Sequence, residues 1–384
     1  MSIRTRIRAG KEKDFQSYVQ AVLRGDSPAK VLERLATLEV PAPYNVRVKV
    51  VYSKTSPSEV FDHFVTTGRG IIPASNKGPA YEFKTSESSR GSRVPFFVMP
   101  FETGHLSKHV AAVISICKSG QWRSLRRAMK NMYPRLVPIL LSQGELVRAA
   151  KSLKQQTGHD VRVLALSAKE RLQGAANRHR RSVRYWTDEE LDEVLMKVQD
   201  QQQILTSLEV QFFPRIDELA HVVPDAIAKI RKDGELEVSG SFRVAFDSIA
   251  VPVARAGLQK LNFFSGRGLR EAQYAAKPLA ITFDAPVFDE LPTVRKLVKT
   301  LVHYPKSMHA VAHGNPYAHL QMTDLLDGSS FDVWAVPPNR IALIPGLKAS
   351  EGAFERLVSY IFDSFREGRV TTYDREERHL EAAF

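Results

Sequence analysis

The sequence predicts an α/β amino-terminal domain with a mostly parallel sheet, joined to an α+β carboxy-terminal domain built on an antiparallel meander with flanking helices. Three observations lead there. Between residues 45 and 168, apolar strand-sized runs alternate with helix-period segments, the pattern of parallel strands joined by right-handed crossovers. After residue 305, four short alternating segments follow one another through turns that suit only antiparallel pairing. The 384 residues, 43% hydrophobic with 20 Phe, suffice for two cores and are too apolar for a disordered chain. The expected organisation is a helical lead-in at 1–44, a basic α/β domain at 45–168, a basic connector and linking helix at 169–204, and an α+β domain at 205–384.

In the lead-in, Phe15, Tyr18, Val19, Val22 and Leu23 recur at helical spacing, and Asp26-Ser27-Pro28 caps a second helix carrying Val31, Leu32, Leu35 and Leu38. Val46, Val48 and Val50 alternate with Arg47 and Lys49, which reads as a half-exposed strand. Ser56-Pro57 opens a short helix through Phe61 and Phe64, and a strand is expected at Ala80 to Lys84. From Val94 the pattern gives a strand, a helix from Leu106 to Cys117, a second helix from Gln121 to Asn131 and a strand at Leu136 to Leu141. A helix opened by the capping box Ser142-x-x-Glu145 follows, then a strand at Val161 to Leu166.

Lys169 to Arg184 lacks an apolar stripe and reads as an exposed connector or frayed helix, with a linking helix behind Thr187-x-x-Glu190. Beyond it, Leu236 to Val238 and Phe242 to Val244 flank Ser-Gly-Ser as a hairpin would. A strand at Leu279 to Phe283 and a helix carrying Val294, Leu297 and Leu301 precede the meander, near 307–313, 317–325, 331–336 and 340–345. The last helix, behind Ser350, presents Phe354, Leu357, Val358, Ile361 and Phe365 to one face of it.

The formal charge of +13 is unevenly spread. Residues 101–184 hold 17 basic and 4 acidic residues, so this window alone carries +13. Such a segment, if compact, projects one sign of potential toward a polyanion. The longest apolar runs fall far short of the ~20 residues that span a bilayer, and the opening MSIRTRIRAGKEKDF lacks the apolar core of a secretory leader. Cys117 stands alone, which rules out an intrachain disulfide and a thiolate metal knuckle. A cytoplasmic location away from membranes is expected.

The strongest constellation is the helix around Trp122, where Arg123, Arg126, Arg127 and Lys130 share one face and Trp122, Leu125 and Met129 the other. Four cations so placed repel one another unless an anion answers them, and a phosphate backbone does so with release of counterions. Carboxylates from elsewhere in the fold are the competing answer. Arg178, Arg180, Arg181 and Arg184, followed by Tyr185 and Trp186, form a second cluster whose aromatics suit base stacking or a packing staple. Asp62 with Glu82 and Lys84 is the minimal residue set of a Mg²⁺-dependent nuclease, two carboxylates for the cation and a lysine for developing charge. His309, His313 and His319 would supply three imidazoles for a transition metal if a hairpin gathers them.

The reading that follows is a nucleic-acid-binding protein, DNA or RNA, that grips the phosphate backbone with a basic domain and uses the second domain for a protein partner or self-association. The alternatives are the nuclease, which alone would need Mg²⁺, and a scaffold subunit of a larger assembly.

Overall fold

The computed structural model of the chain describes residues 9–23, 27–38, 40, 43–67, 70–74, 80–84, 93–101, 109–156, 159–170, 182–186, 193, 196–198, 203–214, 224–267, 276–313, 318–346 and 348–373. It contains two sheets whose strand pairings are antiparallel throughout. The mostly parallel amino-terminal sheet expected above is therefore incorrect. The physical cause lies at 110–117, where every residue of the run VAAVISIC is buried. A strand covered on both faces loses its period of two, and its apolar spacing then matches a helix equally well. Read as a helix, it created a crossover between parallel strands; as a strand, it pairs directly with the segment before it.

Sheet A has eleven strands: β1 (Asn45–Tyr52), β2 (Ile71–Pro73), β3 (Ala80–Lys84), β4 (Arg93–Pro100), β5 (Val110–Cys117), β6 (Val137–Pro138), β7 (His159–Glu170), β8 (Ser182–Trp186), β9 (Gln203–Pro214), β10 (Ala226–Arg231) and β11 (Glu235–Gly240). Its order is β2-β3-β4-β5-β1-β11-β10-β9-β7-β8, with β6 added beside β1. The sheet thus takes strands from both sides of residue 204. Helices α3 (Pro57–Thr66) and α4 (Ser119–Lys130) bury Phe61, Trp122 and Leu125 against one face. On the other lie α1 (Ala9–Leu23), α2 (Pro28–Ala36), α5 (Gln143–Gln156), the short α6 (Phe242–Ala245) with a π-helical turn at Phe246–Ala250, and α7 (Val251–Phe264).

Sheet B has six strands: β12 (Leu279–Thr282), β13 (Ser307–His313), β14 (His319–Asp324), β15 (Ser330–Val336), β16 (Arg340–Pro345) and β17 (Arg369–Thr372), in the order β13-β14-β15-β16-β12-β17. Alternation in β14 and β15 turns Leu320, Met322, Phe331 and Val333 toward α8 (Leu291–Val302) and α9 (Glu351–Ser364). The expected meander and its helices are all present.

Local signals explain the caps. Ser27 accepts from Lys30 N–H and Ser350 from Ala353 N–H, while Ser142 and Glu145 exchange hydrogen bonds of 3.1 and 2.7 Å. The expected Ser-Gly-Ser hairpin lies one turn too late. The β10–β11 hairpin turns at Lys232-Asp233-Gly234, where Gly234 has φ +69° and a Cβ would stand 2.8 Å from the Ile139 carbonyl oxygen. Phe242 instead opens α6.

β1 is not half-exposed. Arg47 and Lys49 are buried within the sheet, and β11 and its turn bring their counter-charges. Arg47 donates to both oxygens of Glu237 at 2.8 and 2.9 Å and to Ser119, and Lys49 sits 2.8 Å from the Asp233 carboxylate. Replacing Arg47 by Met leaves the part-buried Glu237 carboxylate with the Asn45 amide but without its counter-charge, and is expected to cost about 3 kcal/mol, the low end for breaking a buried pair. Adding Glu237→Gln should restore more than half of that, read from urea midpoints. Identical midpoints for the single and double variants would show the two residues to be uncoupled.

Candidate functional site

Helix α4 is oriented by its apolar stripe. Trp122, Leu125 and Met129 lock into the core formed with Phe96, Val98 and Val113, and Gln121 Oε1 accepts from the Lys118 N–H at the first turn. Trp122 is 2% exposed, which places it in the core and away from any stacking role. The opposite side leaves Arg123, Arg127 and Lys130 exposed. Arg126 leans toward β11, where its Nη1 lies 2.6 Å from the buried Glu235 carboxylate. This helix cation is answered by the fold itself.

At the end of α4 a cleft of about 400 Å³ opens between the two sheets. Lys49, Arg126, Lys130, Lys306 and Arg356 line it, against a single lining carboxylate, Asp233, over a floor of Met129, Leu136, Val137 and Leu140. Burial holds the Lys49 ammonium below its usual pKa, and the Asp233 charge beside it pulls the other way. Burial alone would raise Asp233, yet Lys49 and Arg126 hold it below the ordinary carboxylate range. Arg356 is fixed from both sides. Its Nε and Nη2 donate to Asp324 at 3.2 and 2.5 Å, and its guanidinium lies 4.0 Å from the centre of the Tyr133 ring. Its Nη1 is buried with no acceptor. Lys306 has φ +55°, the left-handed region that glycine favours.

A second cavity, of about 380 Å³, lies where α5, α7 and α9 meet. Here Lys260 Nζ pairs with Glu145 at 2.8 Å, and Glu355 Oε1 accepts from the Leu140 N–H at 2.8 Å. The second oxygen of Glu355 is buried without a donor. Burial pushes the Glu355 carboxyl up to about 7, against the pull of Lys260.

Other residues singled out in the sequence do not gather into a complete site. Asp62 accepts from the Tyr81 hydroxyl at 2.8 Å on the α3 face of β3. Alternation turns Glu82 and Lys84 to the opposite face, where Glu82 is buried against Arg93 at 3.1 Å. The two carboxylates therefore do not share a cation site. His309 and His313 are exposed on the edge strand β13; the hairpin sets His313 opposite His319, which stacks on Trp334 at 3.9 Å, while His309 lies farther along opposite Met322. Among the described residues, no group of three His, Cys, Asp or Glu side chains could hold a metal ion. Arg178, Arg180 and Arg181 lie outside the described residues.

Arg184 belongs to β8, not to a frayed connector, and pairs with Glu209 at 2.9 Å. Tyr185 donates to Gln203 at 2.8 Å and packs on the sheet A core, while Trp186 ends β8 opposite Ala165. Cys117 is buried, and burial raises its thiol to about 11. No described helix is long and apolar enough to cross a membrane.

Sequence reasoning missed Lys49, Lys306 and Arg356. Lys49 carries the signature of a solvent-facing strand residue, and the other two come from a turn and a helix far away along the chain. No protein-family model matches the chain, and no curated protein does.

The Glu355 carboxyl gives a pH test. Its folded pKa of about 7 lies above the ordinary 4.5, so between those values the folded state holds a proton that the unfolded chain releases. The stability tied to this group is full below pH 4.5 and is lost as pH rises through 7. Glu355→Gln should raise the Tm at pH 8 and flatten its fall between pH 5 and 8. A variant whose Tm tracks the parent across that range would show that Glu355 ionises without cost.

Proposed function

We propose that this chain binds nucleic acid by its phosphate backbone, with little dependence on sequence, along the exposed face of α4. One observation carries the reading: Arg123, Arg127 and Lys130 form an exposed cationic stripe on a helix whose other side is anchored in the core. The nearby carboxylates Asp233, Glu235 and Glu237 are taken up by Lys49, Arg126 and Arg47. The stripe itself faces solvent, where a polyanion can approach it. Rigid placement matters, since a cation held on a docked helix meets a phosphate without first losing backbone freedom.

Exchanging Arg123, Arg127 and Lys130 together for Ala is expected to weaken binding to a 20-base-pair duplex by 10-fold or more at 50 mM salt. Each neutralised phosphate contributes a slope of about 0.9 in log K against log salt, so the variant should lose up to about 2.7 of that slope. The Tm should barely move, because exposed charges contribute little to stability. Undiminished affinity in the variant would remove α4 as the binding face, and a salt-insensitive interaction would favour an acidic protein partner.

A further inference from the structure

We propose that the cleft at the end of α4 is a binding site for a phosphomonoester carried on an apolar body, as in a nucleoside monophosphate. The source is either a free nucleotide or the phosphorylated end of a strand. The strand-end form rests on the nucleic-acid reading above; the free-nucleotide form does not.

Three donors from three separate elements meet there: Lys130 from the last turn of α4, Lys306 from the turn before β13, and Arg356 from α9. Neither ammonium has a carboxylate within ion-pair distance among the described residues. The Arg356 guanidinium is divided in use. Asp324 occupies its Nε and Nη2, which fixes the plane and leaves Nη1 buried without an acceptor. The guanidinium so fixed lines the cleft, and its charge would add to that of the two ammonium groups in attracting a phosphate.

The backbone of Lys306 is a second, independent observation. It is the only non-glycine with positive φ among the described residues. A left-handed lysine carries a backbone strain that glycine would not. The turn keeps an ammonium in the cleft at that cost.

The ligand class follows from the walls. A phosphomonoester carries about −1.5 to −2 charges near neutral pH, more than the single charge of a backbone diester, and so suits three donors better. Met129, Leu136, Val137 and Leu140 offer contact for a sugar and base, and about 400 Å³ lies within the usual range for small ligands. Asp233 is held by Lys49, and Asp324 and Asp327 by Arg356 and Tyr133, so the neighbouring carboxylates have partners of their own.

The test uses the full chain and calorimetric titration with adenosine 5′-monophosphate, adenosine, and a 12-nucleotide strand bearing either a 5′-phosphate or a 5′-hydroxyl. Adenosine monophosphate should bind at least 10-fold more tightly than adenosine. Lys306→Gly, which relaxes the backbone, should erase that preference while holding or raising the Tm. Arg356→Lys should weaken binding without loss of charge. Tighter binding of the phosphorylated strand, lost in Lys306→Gly, assigns the strand end; binding of the mononucleotide with no difference between strands assigns a free nucleotide.

Equal binding of adenosine and its monophosphate, no binding of the mononucleotide together with equal binding of both strands, or an unaltered preference in Lys306→Gly overturns the proposal. An Arg123→Ala/Arg127→Ala variant separates the two readings. It should weaken both strands and leave mononucleotide binding unchanged. Strands that do not bind at all, beside a mononucleotide that does, would refute the α4 reading and keep the cleft.

Discussion

The rest of the structure depends on the burial of two cations in its central strand. β1 lies between β5 and β11 in sheet A, with helices over both faces, and carries Arg47 and Lys49 with almost no exposure to water. An uncompensated charge in such a place would unfold a marginal domain. Compensation comes only if β11 and its turn pair beside β1, bringing Glu237 and Asp233 into contact. The pairs thus tie register to electrostatics: Arg47 stands opposite Glu237, and a slip by one residue would set charged side chains against apolar ones along the strand.

The same closure defines the junction between the sheets. Leu140 donates to Glu355, Gly144 to Glu367, and Tyr133 to Asp327, so the segment after α4 is bonded across to α9 and the sheet B loops. Phe264 of α7 stacks on Phe354 of α9 at 5.7 Å. Apolar contacts and polar bonds alternate along this seam. The cleft and the second cavity lie on either side of it, one rich in cations and the other built around a buried carboxylate.

Charge counted along the chain differs from charge in space. The window 101–184 carries the whole formal excess, yet Arg126 and Arg184 find Glu235 and Glu209 on strands that lie later in the sequence. What remains outward on α4 is a narrower stripe than the spacing suggested. It gains partners the sequence did not connect to it, since Lys306 and Arg356 reach the same region from the other sheet.

The sequence by itself determined the features whose physics is local. Capping side chains fixed the starts of α2, α5 and α9, helical spacing fixed the buried side of α4, and tight turns fixed the order of β13 to β16. Each of these rests on atoms within a few residues of one another. Tertiary structure decided strand direction, the burial of Arg47 and Lys49, and the meeting of Lys130, Lys306 and Arg356. A strand such as β5, covered on both faces, carries no periodicity that separates it from a helix. A lysine in an alternating strand reads as solvent-facing until a distant carboxylate takes the position water would hold. Both outcomes depend on which strands pair, β5 with β4 and β1, and β1 with β11 far along the chain, a choice made by the free energy of the assembled sheet and not by any local stretch of chain.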